Sequence, residues 1–482
     1  MQAQINRITD ILRRDDGISG AMQYTEQISR ILFLRYFDEY EKNQEAIALL
    51  NNTTYTPLLT EEFQRDTRAC PKDANGKLDI NKAMSGDDLK IFVNKKLFPQ
   101  LKSFRNIDAD YHSMKYKIGE IFYFVSNRIE SGHTLREILD IIDGLSFQSK
   151  DDLFELSHIY ENLLQGMGND GGNSGEFYTP RPVIKAMVQC LDPKIWQTVY
   201  DGAAGSCGFL IEAFEYMKPQ ANSTDDLKKL HHDTFYGIEK TPIAYTMGVM
   251  NMILHGIENP NLDKRNTLTN DIRKIEEKDR FDVIIANPPF WGKEKSQIQT
   301  NFPIKTTATE MLFLQHFMKS LKTWGKAAII VPEGVLFNTS NAFKDVKKQL
   351  LEDFNVIAIV SLPSGVFLPY AGVKTNVLFF EKTTSTKKIR YYEVDPGRKL
   401  TKNKPITVDE LQEMIDFFPE KTESEQSRFV HIDDINDFDL SAKNPNKIKE
   451  ITHLPPKEIL AKIKANDEEI RKEVAKLEEI LL

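Results

Sequence analysis

The spacing of apolar positions changes character twice along the chain and divides it into three parts. From the start to about residue 165, apolar residues recur every three or four positions, the period of helices that each bury one stripe. Ile5, Ile8 and Leu12 set this rhythm, and Ile28, Ile31, Leu32, Phe33 and Leu34 carry it on into Tyr36 and Phe37. Residues 118–125 and 135–142 read the same way, while the polar, turn-rich residues 51–85 read as a long loop with short helices. Residues 1–165 are therefore expected to form an N-terminal helical domain.

The first change comes at Gly168-Asn169-Asp170-Gly171-Gly172-Asn173-Ser174-Gly175, a flexible hinge by composition. Beyond it, short apolar runs alternate with helical patterns, and residues 198–200, 235–238, 281–286, 327–331, 356–360 and 377–380 are the expected strands. Such alternation predicts a doubly wound, Rossmann-like α/β sheet, here over residues 166–450. The second change falls near Pro455. In residues 451–482, Ile463, Ile470, Val474, Leu477 and Leu481 share one helix face amid Glu and Lys. That C-terminal helical tail either packs back on its own chain or docks against a partner helix.

Composition narrows the function classes. A chain of 482 residues exceeds one ordinary core, which makes two or three domains the expectation. No apolar stretch reaches the roughly 18 residues of a membrane span, and the polar start lacks a secretory signal, so no membrane partner is expected. The cysteines, Cys70, Cys190 and Cys207, lie in no metal-ligand spacing, which fits a reducing cytoplasm and predicts neither disulfides nor a structural metal. The formal charge of −8 bears directly on nucleic acid. Phosphate neutralisation dominates DNA affinity, so an acidic chain either avoids DNA or relies on a partner for much of the grip.

Two motifs carry chemistry. Asp201-Gly202-Ala203-Ala204-Gly205-Ser206-Cys207-Gly208 joins an expected strand to an expected helix. Its glycines allow a sharp turn and close approach of a ligand to the backbone, with the helix amino end beneath. Glu239 ends the next strand, where a carboxylate can accept from both hydroxyls of a ribose. Asp271 follows that strand's polar continuation and either reads an adenine amino group or caps a local turn. A nucleoside ligand is favoured, with a dinucleotide as the competitor. Upstream, Glu176-Phe177-Tyr178-Thr179-Pro180-Arg181 opens a helix, with Thr179 the expected N-cap and Pro180 at the first helical position. Its aromatics either wall the ligand pocket or fill the core.

The second motif is Asn287-Pro288-Pro289-Phe290, at the carboxyl end of the apolar strand 281–286. Doubly wound sheets bind their ligands at that end. The prolines remove backbone donors and stiffen the turn, so the Asn287 side-chain carbonyl and the Pro288 backbone carbonyl can aim at one spot. Two acceptors there suit a planar amino group, and Phe290 offers a face for stacking. Methyl transfer from a sulfonium is an in-line displacement that needs alignment above all. It requires no metal, no activated Ser or Cys and no Lys Schiff base.

In this order the motifs resemble amino-methyltransferases of the class I fold, and more narrowly the modification (M) subunit of type I restriction–modification systems. The likeness extends to the leading helical block, to Leu362-Pro363-Ser364-Gly365-Val366-Phe367, to residues 372–380 and to Asp439-Leu440-Ser441-Ala442-Lys443-Asn444. The resemblance implies transfer of a methyl group from S-adenosylmethionine to the exocyclic amino group of adenine in double-stranded DNA, after base flipping. It implies cofactor contacts at Phe177, Tyr178 and Thr179, a floor at Asp201, Ser206, Cys207 and Gly208, and Glu239 on the ribose. Phe290 and Phe367 would flank the base. The implied partners are a specificity (S) subunit, a second copy of the M subunit and a restriction (R) subunit. Where the family commonly reads Asp-Pro this chain has Asp201-Gly202, and Cys207 stands where a small residue is usual. A looser Gly202 is expected to weaken cofactor affinity without changing the reaction. The nearest rival is methylation of a glutamine side chain in a translation factor; a catalytically silent scaffold and a dinucleotide dehydrogenase fit the Asn-Pro-Pro turn less well.

Overall fold

Runs such as Val283-Ile284-Ile285-Ala286 are apolar at consecutive positions because the strands that carry them are covered on both faces. In the computed structural model, Val283 and Ile285 join one buried cluster while Ile284 and Ala286 join another. Ala328 and Phe379 lie with the first, and Ile329 and Phe380 with the second. The structure describes residues 1–106, 113–123, 126–147, 149–169, 179–257, 260–368, 372–418, 423–424, 426–441 and 456–481.

The described strands are β1 (Val199–Asp201), β2 (Phe235–Glu239), β3 (Asn261–Lys264), β4 (Phe281–Ala286), β5 (Leu321–Pro332), β6 (Asn355–Ser361), β7 (Thr375–Glu381), β8 (Lys388–Glu393) and β9 (Ser427–His431). They form one sheet in the order β3-β2-β1-β4-β5-β7-β6-β8-β9. The strands from β3 through β5 run parallel, and β7 is inserted antiparallel between β5 and β6. The order reverses between β1 and β4, and the two pair with Val199 opposite Val283 and Tyr200 opposite Ile284. A crevice at the carboxyl ends of two such strands is the ligand position of doubly wound sheets.

Helices Arg181–Leu191, Gly208–Met217 and Pro242–Leu254 cover one sheet face, and Thr309–Ser320 and Asn341–Asp353 the other. The N-terminal helices extend the first core rather than building their own: Ile5, Ile28, Phe33 and Leu156 share a buried cluster with Val283 and Phe379. Helices Ala21–Leu50 and Lys150–Asn169 pack on Pro242–Leu254. The expected hinge at residue 168 begins inside a helix, since Lys150–Asn169 runs through Gly168, and residues 170–175 lie outside the described residues. Met1–Ala442 form one compact unit and Lys443–Leu482 a second. The second holds the helix Pro456–Leu481, on which Leu460, Ile463, Ile470 and Val474 are exposed. No described helix is long and apolar enough to cross a membrane, and Cys70, Cys190 and Cys207 are free and buried.

Candidate active site

The register between β1 and β4 sets the glycine loop beside the Asn-Pro-Pro-Phe turn. One cavity is lined by residues of both, together with the entry to the Arg181–Leu191 helix: Thr179, Arg181, Asp201, Ala203, Gly205, Ser206, Gly208 and Asn287. Asp201 ends β1 and is buried; its Oδ1 accepts the Ala203 N–H at 2.9 Å, while its Oδ2 has no hydrogen-bond partner among the described residues. Burial pushes this carboxyl up to about 8, against the pull of the Ala203 hydrogen bond and with the help of the Glu239 charge. The loop then turns through Gly205 at φ 52° and Cys207 at φ 63°, and the helix Gly208–Met217 begins.

Glu239, at the end of β2, holds the back of this loop. Its Oε2 accepts the Gly205 N–H at 2.9 Å and its Oε1 the Thr241 N–H at 2.6 Å. Burial raises the Glu239 carboxyl, and these backbone hydrogen bonds oppose the rise. Neither Asp201 nor Glu239 is ion-paired among the described residues; Asp201 lines the cavity, while Glu239 stands behind the loop. Cys207 supplies backbone to the loop, but its side chain is fully buried. Burial drives its thiol well above the ordinary value, so it is no nucleophile.

The Asn287 side chain is oriented by Thr179. Its Nδ2 donates to the Thr179 Oγ1 at 3.0 Å, which leaves the buried Oδ1 without a partner among the described residues. An orphaned acceptor in a ligand cavity calls for a donor. The expected capping role shifts accordingly: the Arg181–Leu191 helix takes Pro180 as N-cap, and the Thr179 hydroxyl serves Asn287 instead. Pro288 is buried and Pro289 exposed. Phe290, half-buried, meets Phe367 edge-on, with ring centroids 6.2 Å apart and planes at 86°. Phe367 is thus beside Phe290 and almost fully buried, and the two rings do not face each other across a slot.

The residues matched by two family models cover this architecture: an N-6 DNA Methylase model matches residues 149–453, and an HsdM N-terminal domain model matches residues 1–142. The chain belongs to the N-6 DNA methylase family. It is 35% identical over 492 aligned residues to the type I restriction enzyme EcoEI methylase subunit of Escherichia coli, covering 99% of this chain and 96% of that one. It is 34% identical to the EcoKI methylase subunit of the same species, over 79% of this chain and 67% of that one. A solved structure concerning complex assembly and conformational transition of a type I R-M system matches 99% of this chain and 97% of its own, at 37% identity and a TM-score of 0.81.

Against this N-6 methylase frame, the structure sorts the residues expected from sequence. It gathers Thr179, Asp201, Ala203, Gly205, Ser206, Gly208 and Asn287 on one cavity wall. Glu176, Phe177 and Tyr178 lie outside the described residues. Asp271 is not brought to this group. It caps a short helical turn, accepts the Arg273 N–H at 3.0 Å and is forked onto the Arg273 guanidinium at 2.7 and 2.9 Å. Asn266, just past the end of β3, stands nearer that strand's carboxyl end and accepts the Leu268 N–H at 3.1 Å. Gly202 is not loose. A Cβ there would lie 2.9 Å from both the Phe317 ring and the Tyr200 hydroxyl, and its carbonyl accepts from Thr267 at 2.5 Å.

Sequence reading missed the support behind the loop. Arg181 does not point freely into the pocket: it donates from Nε to Glu161 at 2.7 Å and from Nη1 to the Gly208 carbonyl at 2.8 Å. Asn251 donates to Glu161 at 2.6 Å and to the Ser206 carbonyl at 2.9 Å. Gly248 lets the Pro242–Leu254 helix come close, since a Cβ there would sit 2.7 Å from the Cys207 Sγ and 3.0 Å from the Gly205 carbonyl oxygen. These partners lie 20 to 90 residues apart along the chain, and no local pattern marks them.

Proposed function

We propose that Asn287, with the Pro288 carbonyl, holds the exocyclic amino group of a flipped adenine while S-adenosylmethionine occupies the neighbouring glycine-loop cavity. The subunit is an N6-adenine DNA methyltransferase of the type I restriction–modification class, and this reading assigns its chemistry to particular atoms. The observation that carries it is the buried Asn287 Oδ1, turned by Thr179 and lacking a donor, at the sheet's switch point. The orphaned Asp201 Oδ2 fits a cofactor that brings positive charge and hydroxyl donors, and so does Glu239, which has backbone hydrogen bonds but no ion-pair partner among the described residues. Asp201, Ser206 and Gly208 would form its floor and Thr179 one wall, with Glu239 toward the ribose.

The cofactor supplies an electrophilic methyl group, so the protein's part is alignment and charge stabilisation. As the adenine nitrogen bonds to the methyl carbon, the methyl–sulfur bond would break in line to leave a neutral thioether, and the nitrogen would carry positive charge until it releases one proton to water. The two carbonyl dipoles then bind it more strongly than they bind the planar amino group, which is the condition for catalysis. Phe290 stacks on the base. DNA site choice falls to a specificity (S) subunit, with a second M subunit completing the clamp and a restriction (R) subunit joining it; the net charge of −8 supports a shared grip on DNA.

The test is Asn287→Ala in the complex with its specificity subunit, read as N6-methyladenine by mass spectrometry of the DNA. Turnover should fall by at least about 100-fold, the scale for loss of one transition-state hydrogen-bonding group. Cofactor affinity by calorimetry should stay within a few-fold. Comparable turnover in the variant would remove Asn287 from the chemistry.

A further inference from the structure

Trp291 follows the catalytic turn directly, with 57% of its surface exposed and a φ of 55°. A bulky side chain in the left-handed region is strained, and such a conformation persists only where its surroundings over-determine it. Here they do. The Trp291 N–H donates to Oε1 of the buried Glu310 at 3.1 Å. The next residue, Gly292, is pressed so close to Thr309 that a Cβ would lie 2.1 Å from its hydroxyl. Gly292 accepts the Thr309 N–H at 3.1 Å, and Glu294 donates to the Thr307 carbonyl at 2.9 Å. Pro288 and Pro289 stiffen the other side. The backbone is therefore clamped before and after Trp291 while the indole is left in solvent. Its ring meets Phe290 edge-on, with centroids 5.8 Å apart at 75°.

The other tryptophans serve as internal controls. Trp196 and Trp324 are also exposed with positive φ. The Trp196 indole donates to Asp226 at 2.7 Å, and Trp196 precedes the start of β1, opposite in the strand direction to the turn that follows β4. Trp324 lies near the start of β5, away from the carboxyl ends of the strands. Trp291 alone of the three adjoins the site.

We propose that Trp291 stacks its indole on a base of the DNA at the mouth of the pocket and so helps hold the target adenine out of the duplex. Extruding a base costs its stacking, and a rigid aromatic face returns part of that cost with any base sequence. This rests on the reading of the Asn287 turn as an adenine site.

The experiment uses the complex with the specificity subunit and a target duplex carrying 2-aminopurine at the methylated position, whose fluorescence rises on unstacking. Trp291→Gly removes the ring and relieves the positive φ, so Tm should hold or rise. The KM for DNA should nevertheless increase about tenfold or more, the fluorescence rise should be lost, and the KM for the cofactor should not move. Trp291→Phe should keep most of both DNA signals, and Trp324→Phe should match wild type. Wild-type DNA KM and fluorescence in Trp291→Gly, or equal losses in the Gly and Phe variants, would overturn the proposal. Absence of N6-methyladenine with the wild-type complex would instead overturn the functional reading on which it rests.

Discussion

At the residue scale, the cavity is marked by two buried acceptors left unsatisfied among the described residues, the Asn287 Oδ1 and the Asp201 Oδ2. Asn287 is legible in the sequence because prolines after an apolar strand announce a stiff turn, but which way its amide faces depends on Thr179, 108 residues away. Asp201 carries a further consequence. Burial raises its carboxyl from the ordinary 3.8 to about 8, so the unliganded native state holds a proton that the unfolded chain has lost. Its contribution is then fully present at low pH and declines as pH rises from about 4 to about 8. Asp201→Asn should flatten that decline in unliganded Tm, measured by calorimetry across this range. The same variant should weaken cofactor binding, because a cationic ligand favours the charged carboxylate that asparagine cannot provide. An unchanged pH profile would show that Asp201 does not titrate in the folded protein.

At the element scale, the glycine loop is braced from three helices at once. Glu161 comes from the Lys150–Asn169 helix, Arg181 from Arg181–Leu191 and Asn251 from Pro242–Leu254. The N-terminal helices thereby reach the loop through one carboxylate, by way of Arg181 and Asn251. Gly248 is the point of closest approach, and Gly248→Ala should push a methyl group into Cys207 and the Gly205 carbonyl. Overpacking of this kind costs about 1–3 kcal/mol, read as a lower Tm together with weaker cofactor binding; affinity and Tm equal to wild type would show that the loop yields freely. The strands show why some elements were legible and others not. Central strands β4 and β7 announce themselves by unbroken apolar runs, since both faces are covered. β3 reads Asn261-Leu262-Asp263-Lys264 and β9 reads Ser427-Arg428-Phe429-Val430-His431. These lie at the two edges of the sheet, where exposure permits polar residues and erases the pattern. β8, next to the edge, carries Lys388 and Arg390 and was equally hidden.

At the scale of the whole molecule, the helix Pro456–Leu481 belongs to a unit distinct from Met1–Ala442 and leaves Leu460, Ile463, Ile470 and Val474 exposed. An apolar stripe at three-, seven- and four-residue intervals is the pattern of a helix that packs against another helix. Removal of residues 456–482 should leave the Tm of the first unit unchanged and abolish co-elution with the specificity subunit on gel filtration. An intact complex would assign assembly to another surface. By itself, the sequence determined the class of fold, the order of its motifs and the stiffness of the Asn-Pro-Pro-Phe turn, because periodicity and proline geometry act over a few residues. Only the tertiary structure decided which carboxylates stand uncompensated, which amide oxygen lacks a donor and how the helices brace the glycine loop. Those properties depend on burial and on partners distant in the chain, and neither is written in any local pattern.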